Sequence, residues 1–249
     1  MIRLDNRRRH AWPVVVWLAM GLGLLDRYPL RWAMAQEAKP LVHVFLQLDA
    51  KSNVVEKTLQ QHMPDLRIIV FGRLRDFEEG LTNGHPDAVL SIGPILKQHG
   101  TTPSLQGYRG GKSVEPYLLA SVNQPLEGSL AGKTIGMVEL LGRDGTQTFL
   151  TALLKATDLK IKRVAKVEDL LSLLEFSAAD GIVLPSSMLG LLAERSRLVI
   201  KVKELPDGVV GLPAVAVLSP AFRNSVIRSF QQLDVPTKRL LGIDSWSVQ

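Results

Sequence analysis

The sequence predicts an α/β protein of two similar lobes, each a mainly parallel sheet flanked by helices, with the lobes joined by two crossings. Three observations carry this. Apolar strand-like runs alternate with amphipathic helix-like runs through the body of the chain, the pattern of βαβ units. The run Asp87-Ala88-Val89-Leu90 returns as Asp180-Gly181-Ile182-Val183-Leu184, so the order of elements repeats. Two connecting stretches, near residues 123–131 and 205–213, separate the repeats. The expected division is lobe 1 over 36–123 plus 214–249, and lobe 2 over 124–213.

In the first lobe, Leu41 to Leu46 reads as a strand, and Ser52 as the N-cap of a helix with Val55, Leu59 and Met63 on one face. Pro64 closes that helix. A strand over Arg67 to Phe71, a short helix over Leu74 to Leu81, a stop at Asn83-Gly84 and a strand over Ala88 to Ser91 follow. Residues 97–113 are polar and glycine-rich, which predicts a loop or loose hairpin. Tyr117 to Val122 is a strand leading into the crossing Gln124-Pro125-Leu126-Glu127-Gly128.

The second lobe starts with the strand Lys133 to Val138. A loop over Gly142 to Gly145 precedes a helix carrying Phe149, Leu150, Leu153 and Leu154. A strand over Lys162 to Val167 leads to a helix with Val167, Leu170, Leu171 and Leu174 at i, i+3, i+4 and i+7. The strand at 180–184, a helix over Met188 to Arg195, a strand near Leu198 to Val202 and the apolar stretch Ala214 to Leu218 come next. The last helix has Ser219 as its cap and Pro220 in its first turn.

With 249 residues, 46% apolar and 22% charged, the chain is long enough for one large domain or two small ones, and neither wholesale disorder nor a multi-span membrane protein fits. Zero cysteines exclude disulfides, thiolate metal sites and cysteine nucleophiles. The net charge of +6 is concentrated at the start, where residues 1–35 hold six arginines against two aspartates and so carry +4 of it. The near-neutral remainder lacks the basic stripe of a nucleic-acid binder. An arginine cluster, the apolar run Ala11 to Leu25 and Ala33-Met34-Ala35 read as a secretory signal peptide over 1–35, or an uncleaved anchor, and predict a periplasmic location.

Catalytic and cofactor motifs are missing. Gly107 to Ser113 fails the P-loop spacing at Gln106, Ser91 lacks the first glycine of a nucleophile elbow, and His43, His62, His85 and His99 have no metal-ligand spacing. No enzyme activity, cofactor or metal is expected. In open α/β sheets, ligands bind beyond the carboxyl ends of strands, where helix N-termini present free N–H groups. Candidates by that rule are Asp49, Lys51 and Ser52 after the first strand, and Ser91 after the third. Arg143, Gly145, Thr146, Gln147 and Thr148 follow at the first helix of lobe 2, with Ser186 after Leu184 and Ser121 beside the first crossing. A simple helix cap is the plainer reading of the Asp144 and Thr146 region.

Pro116 to Val122, Leu126 to Leu130 and Ala131-Gly132-Lys133-Thr134-Ile135-Gly136-Met137-Val138 resemble the strand, crossing and "leucine, small residue, Gly-Lys" entry into lobe two of the type 2 periplasmic solute-binding proteins, most closely their phosphate/phosphonate-binding branch. The likeness covers roughly residues 40–233. It implies a two-lobed fold that captures a ligand in the cleft and hands it to an ABC-type transporter. Members of that branch place a Ser/Thr-Ser/Thr-Gly loop on the oxyanion; here the place reads Arg143-Asp144-Gly145-Thr146-Gln147, with a carboxylate that repels a phosphonate unless it faces away.

The resulting expectation is an exported, monomeric solute-binding protein closing on a small anionic molecule, an oxyanion or organic acid, and presenting it to a membrane permease. The competing expectation is a non-transport accessory or scaffold protein of the cell envelope with a degenerate cleft.

Overall fold

Each half of the fold is built on three parallel strands, and an aspartate clamps each set. The computed structural model describes residues 39–48 and 50–249. The leader and Asp49 lie outside the described residues. The first half runs β1 (Leu41–Val44), α1 (Ser52–His62), β2 (Arg67–Val70), α2 (Leu74–Gly84), β3 (Ala88–Ile92), α3 (Gly93–Gln98) and β4 (Leu105–Tyr108). The second runs β5 (Val114–Val122), β6 (Thr134–Val138), α4 (Gly142–Leu154), β7 (Lys160–Val164), α5 (Val167–Glu175), β8 (Gly181–Pro185), α6 (Leu189–Arg195) and β9 (Ile200–Gly211). The chain then returns through β10 (Pro213–Val217), α7 (Arg223–Gln231), α8 (Val235–Leu240) and β11 (Ser245–Val248).

The strands form two sheets, ordered β11-β4-β10-β3-β1-β2 and β7-β6-β8-β5-β9. In each, three parallel strands (β2-β1-β3 and β7-β6-β8) are extended on one side by antiparallel strands from the crossings. The echo between Asp87 and Asp180 has a structural cause. Asp87 accepts the Leu41 N–H through Oδ2 at 2.8 Å and donates its own N–H to the Leu41 carbonyl at 2.8 Å. Asp180 repeats both bonds with Thr134, each at 2.8 Å. Each carboxylate therefore registers the third strand against the first.

Side-chain alternation gives the first sheet two buried faces. Val42, Val44, Leu90 and Val215 pack on one side with Val55, Leu59 and Phe230 of α1 and α7. Phe45, Val89, Ala214 and Ala216 pack on the other, in a core that continues through Ile92, Tyr117, Leu140 and Val210 into the second sheet. Burying a large apolar side chain contributes roughly 1.5–3 kcal/mol, so these four bridging residues alone act on the scale of a domain's net stability.

The first crossing lies elsewhere than the sequence suggests. The strand expected to end lobe 1 pairs with β8 (Ala120 opposite Ile182, Leu118 opposite Leu184) and with β9, so it belongs to the second sheet. The chain passes between sheets at 109–113, not at 123–131. Arg109 bridges Lys112 across Gly110 and Gly111, whose φ of 56° and 76° suit a tight turn that only glycine adopts without strain. The return crossing at Gly211 to Pro213 falls within the expected 205–213. Leu212 donates to the Ser113 carbonyl at 2.9 Å, so the two crossings are bonded side by side.

Smaller differences follow from local chemistry. The polar segment 97–113 contains β4 and the end of α3. Helix α2 runs through Asn83-Gly84 and stops at His85, in the left-handed region at φ 43°. Helix α1 starts at Ser52 with Lys51 as N-cap, and α4 starts at Gly142 rather than after Gly145. Among the described residues, no helix is long and apolar enough to cross a membrane.

Candidate functional site

The carboxyl ends of β1 and β2 in one sheet and of β6 and β7 in the other face a shared cavity of about 630 Å3. Its walls are the β1–α1 segment, the β2–α2 turn, residues 138–142 after β6 and the β7–α5 turn. Three helices begin at its edge, and each has a cation at the N-cap: Lys51 for α1, Arg73 for α2 and Lys166 for α5. N-caps favour Ser, Thr, Asp or Asn, and positive charge opposes the helix dipole there. Arg73 (φ −138°, ψ 143°) and Lys166 (φ −135°, ψ 154°) hold nearly the same backbone conformation at equivalent places in the two halves. Arg75 adds a fourth cation.

The cavity carries three carboxylates as well, two of them beside an arginine and the third beside a histidine ring. Glu139 lies 3.9 Å from Arg163, Glu168 lies 3.8 Å from Arg195, and Glu78 lies 4.0 Å from the His99 ring. Lys51, Arg73, Arg75 and Lys166 have no ion-pair partner among the described residues. The rim therefore has an excess of uncompensated positive charge. Beneath it the floor is apolar, with Phe45, Phe71, Leu74, Leu140 and Val167. Phe45 stacks on Phe77 at 5.3 Å, and Phe71 meets the same ring edge-on at 5.8 Å.

The centre of the cleft is closed. Thr146 is 1% exposed and its Oγ1 has no hydrogen-bond partner. It faces a space of about 20 Å3 walled by Ile92, Tyr117, Met137, Leu140, Phe149 and Val210. That is room for a single water. Burial, and secondarily the Glu115 carboxylate, push the Tyr117 phenol above its ordinary range. A Cβ placed on Gly211 would lie 3.5 Å from the Gly93 nitrogen, so β9 covers the amide at the end of β3.

The sequence candidates therefore scatter. Lys51 and Ser52 line the large cavity; Asp49 lies outside the described residues. Ser91 is buried with its hydroxyl donating to the Phe45 carbonyl at 2.7 Å, a tie between β3 and the end of β1. Ser121 donates to the Gln124 carbonyl at 2.7 Å, at the far end of β5 from the cleft, because β5 runs antiparallel to β8. Arg143, Asp144, Gln147 and Thr148 are exposed on the outer face of α4, while Thr146 and Leu150 point inward one turn apart. Gly145 is pressed against Leu141, where a Cβ would approach the Leu141 Cβ to 2.8 Å. Ser186 donates to Glu115 at 3.3 Å; that carboxylate, 13% exposed, also accepts from Ser187 N–H and Oγ at 3.1 Å each and from Arg109 at 2.7 Å. An internal carboxylate thus fills the Ser186 position. Arg73, Arg75 and Lys166 were missed, although the strand-end rule applied to the second strand of each lobe reaches all three.

Among the described residues, no group of three His, Asp or Glu could hold a metal. No family model and no curated protein matches the sequence. Solved structures do match. XAC2383 from Xanthomonas citri, bound to chloride ion, superposes with a TM-score of 0.61 at 15% identity, over 84% of this chain and 91% of that one. The fold is that of the two-lobed periplasmic binding proteins. The substrate-binding protein of an amino acid ABC transporter matches at TM-score 0.56 and 14% identity, over 81% and 97%. The periplasmic VFT2 domain of Bordetella pertussis BvgS matches at 0.54 and 13%, over 82% and 93%. These neighbours are binding proteins and Venus-flytrap-type domains, and they support the periplasmic-binding fold without confirming the phosphate/phosphonate branch.

Proposed function

We propose that the chain is an exported solute-binding protein that captures a small anionic molecule in the cavity edged by Lys51, Arg73, Arg75 and Lys166, and delivers it to a membrane transporter. The observation that carries this is the convergence of three N-cap cations, none ion-paired among the described residues, on one cavity between the sheets. Cations at helix N-termini cost stability, and an anionic ligand offsets that cost. The basic, apolar leader supports export, and the solute-binding neighbours support capture without chemistry.

The test is thermal unfolding of the chain against a panel of oxyanions and organic acids. Cognate ligand at about 100 Kd adds roughly 2.7 kcal/mol of native-state stability, and the double variant Arg73→Ala/Lys166→Ala loses the shift. A panel with no shift at any concentration overturns the reading. One observation favours a second reading, a non-transport accessory of the cell envelope: the apolar plug around Thr146 shuts the deep cleft. In that case a partner protein co-purifies with the chain and no solute shifts its midpoint.

A further inference from the structure

We infer that the cavity selects an organic anion with an apolar body over an inorganic oxyanion. The inference rests on the anion-capture reading above and names its ligand class. Two features of the cavity carry it, and they sit at different depths.

The charged groups are at the rim. Lys51, Arg73, Arg75 and Lys166 are all exposed, so each keeps its water. A bare oxyanion gives up strong hydration on binding and needs buried donors in return. The side chains of its floor supply none, since Phe45, Leu74 and Val167 are buried and Phe71 half-buried, while the polar side chains of the lining, Gln47, Ser52 and Asn53, are half-buried or exposed. Among the described residues, the orphaned buried hydroxyl, Thr146 Oγ1, opens into the separate 20 Å3 space behind Leu140. At roughly 30 Å3 per water, the 630 Å3 cavity holds about 20 waters. An inorganic ion would leave most of them against an apolar wall.

A carboxylate on an apolar body satisfies both depths. Its hydrocarbon displaces water from the Phe45, Phe71 and Leu74 floor, while its charge stays among the hydrated cations at the mouth. The size lies within the range of pockets that enclose ligands of several rings or a short chain. The edge-on and stacked rings of Phe71, Phe45 and Phe77 form a rigid aromatic base under that body.

The experiment is calorimetric titration of the full chain with benzoate, phenylacetate, 3-phenylpropionate and 4-phenylbutyrate, with phenylacetamide as the neutral control and with phosphate and sulfate. Affinity is expected to rise by about fourfold for each methylene added until the floor is covered. The amide should bind at least tenfold more weakly than its acid, and phosphate and sulfate should bind more weakly than benzoate. Arg73→Ala/Lys166→Ala should bring phenylacetate down to the amide's affinity without lowering the unfolding midpoint. Phosphate or sulfate binding as tightly as 4-phenylbutyrate, with no trend along the carboxylates, overturns this inference and leaves anion capture standing. Amide and acid binding equally, or no probe binding at all, overturns both.

Discussion

At the scale of single residues, the histidine on β1 has the most direct consequence. His43 is 2% exposed, its Nδ1 has no hydrogen-bond partner, and its ring meets Phe71 edge-on at 5.0 Å. Burial, then the positive charge of Arg67, lowers its pKa from the ordinary value of 6.5. The neutral ring is favoured in the native state, whereas the unfolded chain takes up a proton near 6.5. The stability that His43 lends is present above that value and is lost as pH falls toward the lowered one. Thermal unfolding at pH 7.5, 6.5 and 5.5 should show a falling midpoint, and His43→Leu should flatten the part of the fall between the last two. An unchanged slope in the variant assigns the pH dependence elsewhere. The sequence showed a lone histidine without metal spacing. That it is buried follows from the alternation of β1 between two cores, which the sheet reveals only once both faces are covered.

Among the elements, the paired clamps of Asp87 and Asp180 govern how each parallel set is registered. The Thr134 N–H, then the Lys133 ammonium at 3.2 Å, hold the Asp180 carboxyl below its ordinary range against an opposing effect of burial. Its contribution is therefore present above that range and lost in acid. Asp87→Ala and Asp180→Ala should each cost about 1–2 kcal/mol at neutral pH, adding in the double variant because the two sites share no partner. Chemical denaturation reads this directly, and a non-additive double variant would show that the halves communicate through their first strands. Here the sequence was legible: the repeated aspartate before an apolar run marked equivalent strands. Less legible was which sheet a strand joins. Tyr117 to Val122 reads as a strand in either lobe, and only pairing with β8 and β9 decides between them. The same gap explains the site. Ser121 and Ser91 lie at strand ends by sequence, yet strand direction puts one away from the cleft and a hydrogen bond to Phe45 closes off the other.

For the molecule as a whole, the core that crosses between the sheets decides cooperativity. Ile92, Tyr117, Leu140 and Val210 tie one half to the other, so the halves should melt together in a single calorimetric transition with matching van't Hoff and measured enthalpies. Leu140→Ala should lower stability by about 2–3 kcal/mol and broaden or split that transition, since it cuts the bridge without touching the heart of either sheet. A variant that melts as sharply as the parent would place the coupling in the crossings instead.

The segment after β1 also sets how the cleft can work. Leu46, Gln47, Leu48 and Leu140 line both the 630 Å3 cavity and a second one of about 240 Å3 beside the crossings, so this segment stands as a wedge between them. Lobes that rest on a wedge reach a mechanical stop before their rims meet. An occupant would stay in contact with bulk water, and its departure would need only diffusion past the mouth, giving exchange in one step where a sealed trap would require two.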